Sequence, residues 1–328
     1  MITFWVAALG LTILLYVTLD GFDLGVGMLF PFAPGETARR HMLSAISPVW
    51  DGNETWLVIA GTILFGAFSS VYALLLSALY LPLIIMLAAL ILRGVAFEFR
   101  YKSTHFRWLW DAGFAGGSLV AGFVQGAAVG ALVKGLPVTG AAFSGGPFWW
   151  LSPFALLCGV GLCLGYAMLG AGWLTYKTAQ DVQEFAFRVL PGLLLSVLIF
   201  LVLAFILAIV SDLRVMHRWT EEPFLFVFPA IGVLACWRMY RAARGKRGLV
   251  PFLCGLAIFC AAFGTLAASF YPYIIPYSIR IDQAASPASS LSFLFWGAGA
   301  FVLPLTLVYT LVVYFVFRGQ VDPGAEYH

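Results

Sequence analysis

Long apolar runs, separated by short polar or charged connections, fill this chain. A helix needs about twenty predominantly apolar residues to cross a bilayer, and nine segments meet that requirement: 2–32, 52–70, 72–97, 108–133, 153–175, 187–211, 223–240, 249–275 and 291–317. Only Phe68-Ser69-Ser70 separates the second segment from the third, so a tight connection is expected there. The pattern predicts an all-α, polytopic membrane protein with about nine transmembrane helices.

Composition agrees with this pattern. Of 328 residues, 62% are hydrophobic and 10% are charged, which is more apolar surface than one soluble core can bury. Met1-Ile2-Thr3-Phe4-Trp5 lacks a cationic region and the apolar run continues past Leu15, so the first segment is expected to remain as a span. The net charge of +3 is small and dispersed, which argues against nucleic acid as a partner.

The basic residues are distributed unequally between the two sides of the predicted topology. One side carries only Lys134, Arg214, Arg218 and Arg280, whereas the other loops and the tail carry the rest of the 18 Lys and Arg residues. Because cytoplasmic loops are enriched in Lys and Arg, nine spans place the N-terminus outside and the C-terminus in the cytoplasm.

A charged stretch, Trp50-Asp51-Gly52-Asn53-Glu54, opens the second segment. Carboxylates at a membrane boundary are costly when they face lipid, so they commonly mark an ion or proton route. Asp51 and Glu54 also fit a capping box, in which the two residues would satisfy the helix N-terminus. The two roles can coexist, and both remain open at this stage.

Acidic residues from other segments are expected at the same depth. At about 1.5 Å per residue, Asp20 and Asp23 come late in the first span, Arg93 closes the third, and Asp111 begins the fourth. We therefore expect an acid-rich cluster near the inner boundary that contains one or two arginines. Arg93 and Asp111 are predicted to pair, the alternative being a plain surface ion pair of little energetic value.

The second half of the chain has few charges within its spans. Its small residues, and those of Gly113-Phe-Ala-Gly-Gly-Ser, favour close helix packing over ligand binding. Tyr271 and Tyr273 fall near the outer boundary, where they fit either an interfacial aromatic belt or a site for a quinone or lipid tail. The five cysteines have no metal-site spacing and are expected to be small buried hydrophobes.

Histidine usage bears on haem binding. The four histidines, His41, His105, His217 and His328, all fall in predicted loops or the tail. A membrane haem takes an axial His, Met or Cys from a helix, and single methionines such as Met28, Met86 and Met168 are usually core filler. We expect this chain to bind no haem and no metal by itself.

Four motifs resemble subunit II of the cytochrome bd-type quinol oxidases. They are Leu19-Asp-Gly-Phe-Asp-Leu-Gly-Val-Gly-Met28, Trp50-Asp-Gly-Asn-Glu-x-Trp-Leu57, Arg93-Gly-Val-Ala-Phe-Glu-Phe-Arg100 with Trp108-Leu-Trp-Asp111, and Tyr271-Pro-x-Ile-Ile-Pro276. The matches keep their order and spacing and extend over essentially the whole chain. The chain departs from the family in its short length, which favours the cyanide-insensitive branch, and in Glu54, which stands where Gln is expected.

The resemblance implies a fold of two four-helix bundles, residues 1–133 and 153–275, with an additional helix at 291–317. It implies a bacterial inner-membrane quinol:oxygen oxidoreductase, electrogenic, in which subunit I holds haem b and haem d, or b-type haem only. A small single-helix third subunit and a structural quinone or lipid are further implied components.

The resemblance also assigns roles to residues. Asp51 is expected to open a cytoplasmic proton path, with Glu54, Asn53, Asp20 and Asp23 as neighbours. Residues at the haem environment or subunit boundary are expected to be Arg93, Asp111, Asp23 and Trp50. Two alternatives stay open: a proton-coupled secondary transporter, which would usually carry polar groups in both halves, and a non-catalytic scaffold for subunit I.

Overall fold

The computed structural model describes residues 1–103, 105–140, 142–211, 213, 219 and 222–321. Eight helical segments within these ranges are long and apolar enough to cross a membrane: Ile2–Phe32, Ser69–Lys102, Arg107–Lys134, Pro153–Lys177, Gln180–Val210, Pro223–Arg244, Leu249–Phe270 and Ala288–Val316. The predicted all-α membrane fold is confirmed. His217 and His328, together with Arg214 and Arg218, lie outside the described residues.

The helices are named in chain order. They are α1 Ile2–Leu29, α2 Glu36–Ile46, α3 Trp50–Ala67, α4 Ser69–Lys102, α5 Arg107–Lys134, α6 Pro153–Lys177, α7 Gln180–Val210, α8 Val227–Arg244, α9 Leu249–Phe270, α10 Ile281–Ala284, α11 Ala288–Leu294 and α12 Val302–Val316. A π-helical turn, Phe295–Gly299, lies between α11 and α12. Two small antiparallel hairpins, Val138–Thr139 with Ala142–Phe143 and Tyr273–Ile275 with Ile279–Arg280, follow α5 and α9.

The second predicted span is helix α3, which differs in character from the other eight. Its 18 residues are about 27 Å long at 1.5 Å per residue, close to the thickness of a hydrocarbon core. Asp51, Asn53 and Glu54 in its first turns make it less apolar than the others. The count of nine spans therefore stays a prediction. The tight connection to α4 is a single residue, Phe68, with non-helical backbone angles.

Helix α4 contains a kink that another part of the chain stabilises. Pro82 has no backbone N–H, so the carbonyl of Ala78 loses its usual helical partner, and Leu79 adopts non-helical angles. The indole Nε1 of Trp149 donates to that Ala78 carbonyl at 2.8 Å. This side chain, expected in an interfacial belt, thus also completes the hydrogen bonding of α4.

Helix α2 was absent from the sequence prediction. It is amphipathic, with Met42, Leu43 and Ile46 buried, and the indole Nε1 of Trp173 in α6 donates to the carbonyl of Ala45 at 3.0 Å. At 11 residues it is too short for a search based on twenty-residue apolar runs. It covers the ends of the neighbouring helices and carries part of a charged cluster.

Helices α1 and α6 cross at the centre of the molecule through small residues. A Cβ atom on Gly25 would lie 1.8 Å from the carbonyl oxygen of Tyr166, and one on Gly170 would lie 2.6 Å from the backbone of Gly25. The two backbones therefore touch, which fixes the position of the acidic end of α1. The packing role expected for small residues in the later spans agrees with this crossing.

The long helices fall into two sets according to which helices pack against each other. Helices α1, α3, α4 and α5 form one set of packing partners and α6, α7, α8 and α9 form another, while α1 and α5 also pack directly on α6. The division into bundles at 1–133 and 153–275 stays a prediction, as does the additional helix at 291–317. The helix of the eighth predicted span ends at Phe270 rather than at 275, because Pro272, two residues later, cannot continue a helix.

We predict that Gly25→Ala destabilises the protein because its methyl group would overlap the α6 backbone. Overpacking of this kind costs about 1–3 kcal/mol, and a lower unfolding temperature of the detergent-solubilised protein would show it. Gly192→Ala in α7 is the matched control, since a Cβ there meets no described atom within 4 Å. Equal unfolding temperatures for the two variants would contradict the prediction.

Candidate functional site

Two carboxylates of α1 lie in the protein interior. Asp20 and Asp23 are both 0% exposed and, being three residues apart, share one face of the helix. A buried charge is strongly unfavourable unless hydrogen bonds and an opposite charge compensate it. The partners of these two residues therefore define the candidate site.

Arg93 of α4 compensates Asp20. Its Nη1 donates to Asp20 Oδ1 at 2.8 Å and lies 4.0 Å from Glu54 Oε2. Arg93 is only 1% exposed, and its guanidinium carbon lies 6.0 Å from the ring centroid of Trp50. Gly117 of α5 permits this burial, because a Cβ there would lie 3.1 Å from the Cβ of Arg93.

A residue of α3 forms a hydrogen bond with Asp23, and a residue of α12 forms one with that residue in turn. Asn53 Nδ2 donates to Asp23 Oδ2 at 2.7 Å and is also 3.4 Å from the carbonyl of Leu19. The hydroxyl of Tyr314 donates in turn to Asn53 Oδ1 at 2.9 Å. Three helices thus meet around one carboxylate.

Several polar atoms of this site have no hydrogen-bond partner within the described part of the chain. They are Asp20 Oδ2, Asp23 Oδ1, and Nε and Nη2 of Arg93. Leaving such an atom unsatisfied costs about 1–3 kcal/mol, and native proteins retain few of them outside functional or ligand-binding regions. The arrangement is thus one that stability alone does not favour.

The acidic residues of α3 lie between this interior and the surface. Asp51 is exposed, whereas the Glu54 side chain is 27% exposed and borders Arg93. The capping-box alternative is wrong, because Val49 is the N-cap residue of α3, no side chain caps it, and Asp51 is already inside the first turn. Carboxylates therefore run from the surface at Asp51, through Glu54, to the buried Asp20 and Asp23.

The structure does not pair Arg93 with Asp111, so that prediction is corrected. Asp111 accepts from Arg39 Nη1 at 3.1 Å and from Arg100 Nε. Arg100 follows Arg93 by seven residues, two helical turns, and so it reaches the same face of α4 nearer the start of α5. The two arginines lie about 10 Å apart along α4, and the sequence pattern alone does not show which of them is level with the start of α5.

A second charged cluster forms around Arg100. Its Nη2 donates to Glu36 Oε2 of α2 at 2.9 Å, and Arg107 Nη1 donates to Glu36 Oε1 at 3.3 Å. Arg100, which is 2% exposed, also lies over the ring of Phe30 at 5.1 Å. These contacts tie α2 to the adjoining ends of α4 and α5.

Sequence reasoning missed several polar residues of the interior. Gln125 Nε2 donates to the hydroxyl of Tyr16 at 2.7 Å and its Oε1 accepts from the hydroxyl of Tyr166 at 2.7 Å. Tyr314 was missed as well, since a tyrosine in an apolar span gives no sequence signal. Gln125 could have been found, because an amide within a span needs partners.

Two of the four histidines and the three methionines considered as haem ligands lie within the described residues. His41 lies in α2 and His105 between α4 and α5. Met86 and Met168 are packed in the core, and the Met28 methyl contacts the position where a Gly122 Cβ would be. Among the described residues, no group of three His, Cys, Asp or Glu side chains converges as a metal site requires.

Tyr271 and Tyr273 lie far along the fold from the acidic site. Tyr271 is 61% exposed and follows the C-terminal end of α9. The opposite end of α9, at Gly248, contacts Thr175 of α6, close to α2. Nearby, Tyr277 lies against Gly135 at the C-terminal end of α5, whereas Asp111 is at the N-terminal end of that helix. The structure does not bring these tyrosines to the carboxylates.

We predict that Arg93→Met destabilises the protein by about 3–5 kcal/mol, because it leaves Asp20 charged and buried without its partner. The double variant Asp20→Asn/Arg93→Met should lose less, since Asp20 then carries no charge and Asp23 keeps its hydrogen bond from Asn53. Denaturant unfolding of the purified protein measures both. Lys246→Met is the control: its pair with Glu184 is exposed and worth at most about 1 kcal/mol. A loss as large in the control would contradict the prediction.

We predict that α2 loosens in acid. Burial by itself would raise the pKa of Glu36, but hydrogen bonding and positive charge from Arg100, with the charge of Arg107, outweigh it and hold the pKa below its ordinary 4.5. A lowered pKa in the folded state means that Glu36 stabilises the docked helix above pH 4.5 and that this stabilisation is lost as the pH falls below it. Amide hydrogen exchange of residues 36–46 should therefore rise in acid.

The same exchange measurement on Glu36→Gln should give fast exchange that no longer depends on this titration. Glu184→Gln, which alters an exposed carboxylate on α7, should leave the exchange of 36–46 unchanged at every pH. A protected α2 in Glu36→Gln at neutral pH would be the contrary result.

Comparison with known proteins finds relatives that match almost the whole chain. The family model "Cytochrome bd terminal oxidase subunit II" matches residues 1–317. A Haemophilus influenzae protein described as "Probable cytochrome oxidase subunit 2" is 34% identical, with 95% of this chain and 89% of the relative covered. "Cytochrome bd-I ubiquinol oxidase subunit 2" of Escherichia coli is 30% identical, with 97% and 94% covered.

A solved structure supports the fold. "The structure of bd oxidase from Geobacillus thermodenitrificans" contains a chain that superposes with a TM-score of 0.78 at 18% identity, covering 96% of this chain and 99% of that chain. The resemblance of the four motifs is thereby confirmed. This chain belongs to the family of cytochrome bd terminal oxidase subunit II.

Proposed function

We propose that this chain is the subunit of a quinol:oxygen oxidoreductase that brings cytoplasmic protons to a redox centre held by a haem-bearing partner. The observation that carries the proposal is the run of carboxylates from the exposed Asp51, through the half-buried Glu54, to Asp20 and Asp23 in the interior. Membership of the family supports the reaction class. The geometry of these residues supports the role of this chain in it.

The chemistry needs such a route. Reduction of oxygen to water takes up protons and electrons in equal number, so an oxidase inside a bilayer must admit protons from one side. Asp51, in the first turn of α3, is open to solvent. Glu54 is the next acceptor inward, and the charge of Arg93 stabilises the ionised form of its acidic neighbours.

Asn53 and the α1 carboxylates form the inner part of the proposed route. The Asn53 amide can both donate and accept, and it bonds directly to Asp23. The unsatisfied oxygens of Asp20 and Asp23 provide further acceptor positions beside it. Arg93, Trp50 and Asp23 are proposed to lie towards the haem-bearing partner, and Asp111 to support that boundary through Arg100.

The partner, cofactors and orientation follow from the same proposal. Haem b and haem d, or b-type haem alone, would reside in subunit I, since the described histidines, His41 and His105, lie in the short helix α2 and between α4 and α5 rather than within a membrane-spanning helix. The excess of Lys and Arg places the C-terminus and Asp51 on the cytoplasmic side of a bacterial inner membrane, with the N-terminus outside. A small single-helix subunit, and a quinone or lipid near Tyr271 and Tyr273, complete the proposed complex.

The two alternative functions are a proton-coupled transporter and a purely structural subunit. A proton-coupled transporter usually carries polar groups in both halves, whereas the buried carboxylates of the described ranges are both in α1, beside Glu54 of α3, and family membership favours the oxidase. A purely structural subunit would hold the same family position without moving protons. The charge at Asp51 separates that scaffold from a proton route.

We predict that Asp51→Asn slows oxygen reduction by the purified complex, while its haem content and subunit ratio stay the same. The amide keeps the shape of the side chain but cannot exchange a proton as a carboxylate does. Loss of one proton-transfer group is expected to lower turnover about 10²-fold or more. Oxygen consumption and the haem difference spectrum measure the two quantities.

Asp181→Asn is the matched control for this experiment. Asp181 is also an exposed carboxylate in the first turn of a helix, α7, and by the same topology it lies on the cytoplasmic side. Turnover should stay at the wild-type level in this variant. Wild-type turnover in Asp51→Asn at every pH would overturn the proton-route proposal and leave the scaffold role.

A further inference from the structure

Helix α12 is held to the rest of the protein by few interactions, and one of them reaches the buried carboxylates. None of its residues, Val302–Val316, is fully buried. Tyr314 packs against the interior beside Val313, with its ring 6.0 Å from that of Trp173 and 6.5 Å from that of Phe22. Its hydroxyl ends the hydrogen-bonded series Tyr314–Asn53–Asp23.

The Tyr314 hydroxyl helps to set which way the Asn53 amide faces, together with the Asp23 carboxylate and the carbonyl of Leu19. An amide has one donating and one accepting end, and the two are exchanged by a simple flip. When Tyr314 donates to Asn53 Oδ1, the Nδ2 group must face Asp23 and the carbonyl of Leu19. In the flipped amide an oxygen would face the Asp23 carboxylate, which repels it when ionised.

The end of α12 is fixed by Lys177. This residue, 5% exposed at the end of α6, donates from Nζ to the carbonyls of Phe317 and, at 2.9 Å, of Gly319. The last carbonyls of a helix lack partners and attract a cation, so this contact closes α12 one turn after Tyr314. The Lys177 carbonyl also accepts from the amide of Val321 at 2.8 Å.

We infer that Tyr314 is a positioning residue for proton transfer at Asp23: it orients the Asn53 amide, and the Lys177 contact holds Tyr314 in register. The inference rests on the proposed proton route, because its effect on turnover requires Asp23 to belong to that route. Its effect on the Asp23 carboxyl group itself does not require this. The two can therefore be tested separately.

The groups that face Asp23 come from every element packed around it. They are Asp20 on α1, Glu54 on α3, Arg93 on α4 and Tyr314 on α12, with Tyr166 of α6 beside Asp20. Tyr314→Phe leaves all the charges among these groups in place. It removes only the hydroxyl group that orients Asn53.

The test compares Tyr314→Phe with Tyr309→Phe in the intact oxidase complex. Tyr309 lies on the same helix, is 58% exposed and has its ring beside Gly52, so its substitution is the same chemical change near α3 without the bond to Asn53. Redox-difference infrared spectra give the carboxyl band of Asp23, identified by its loss in Asp23→Asn. We predict that this band shifts in Tyr314→Phe and stays in place in Tyr309→Phe.

The pH profile of oxygen consumption is the second measurement. Without the oriented Asn53 donor, Asp23 loses part of its hydrogen bonding, so the pH profile of Tyr314→Phe should shift relative to that of the wild type. One hydrogen bond corresponds to a shift of about half a pH unit to one unit. Lys177→Met should move it in the same direction by a smaller amount, since Tyr314 then keeps its hydroxyl but loses its support.

The outcomes separate the two proposals. An unshifted Asp23 band in Tyr314→Phe, with full haem content, overturns the positioning role even if Asp51→Asn slows turnover. A shifted band with an unchanged pH profile supports the orientation of Asn53 and removes Asp23 from the proton route. A lower unfolding temperature without a band shift would mean that Tyr314 is structural only, which also overturns the inference.

Discussion

The compensation of buried carboxylates by one arginine is the constraint on which the arrangement of the first four long helices depends. Asp20 and Asp23 are fully buried, so α4 must bring Arg93 against α1, and α5 must be small at Gly117 to admit it. The backbone contact of α1 with α6 at Gly25 and Gly170 fixes the other side. A polar site and a close-packed apolar framework therefore require each other here.

The two charged clusters differ in exposure and so in what they can do. The Arg100 cluster joins α2, α4 and α5 by ion pairs that include the partly exposed Glu36, as expected of a structural tie. The Arg93 cluster is buried and leaves acceptor atoms without protein partners. Within the described ranges, the second has carboxylate oxygens without a partner, as the proposed proton route requires, and Glu54 and Asp51 of α3 extend it to the surface.

Sequence was sufficient for the membrane class and for which carboxylates approach one another, because a twenty-residue apolar run and the rise of a helix set both. It could not distinguish Arg93 from Arg100 as the partner of Asp111, since the two lie two turns apart on the same face of α4 and only their depth relative to the start of α5 separates them. The sequence did not predict helix α2 or the role of Tyr314, for a different reason. A short amphipathic helix and a lone hydroxyl in an apolar span become informative only when their neighbours are known.

The bond from Trp149 to the Ala78 carbonyl has a consequence for biogenesis. The two residues are 71 positions apart, so α4 leaves the ribosome and enters the bilayer before Trp149 has been synthesised. Until then the carbonyl freed by Pro82 has no protein donor, and in hydrocarbon an unsatisfied group of this kind costs several kcal/mol. The hydrogen bonding of α4 is therefore completed only after Trp149, in the loop that follows α5, has been translated.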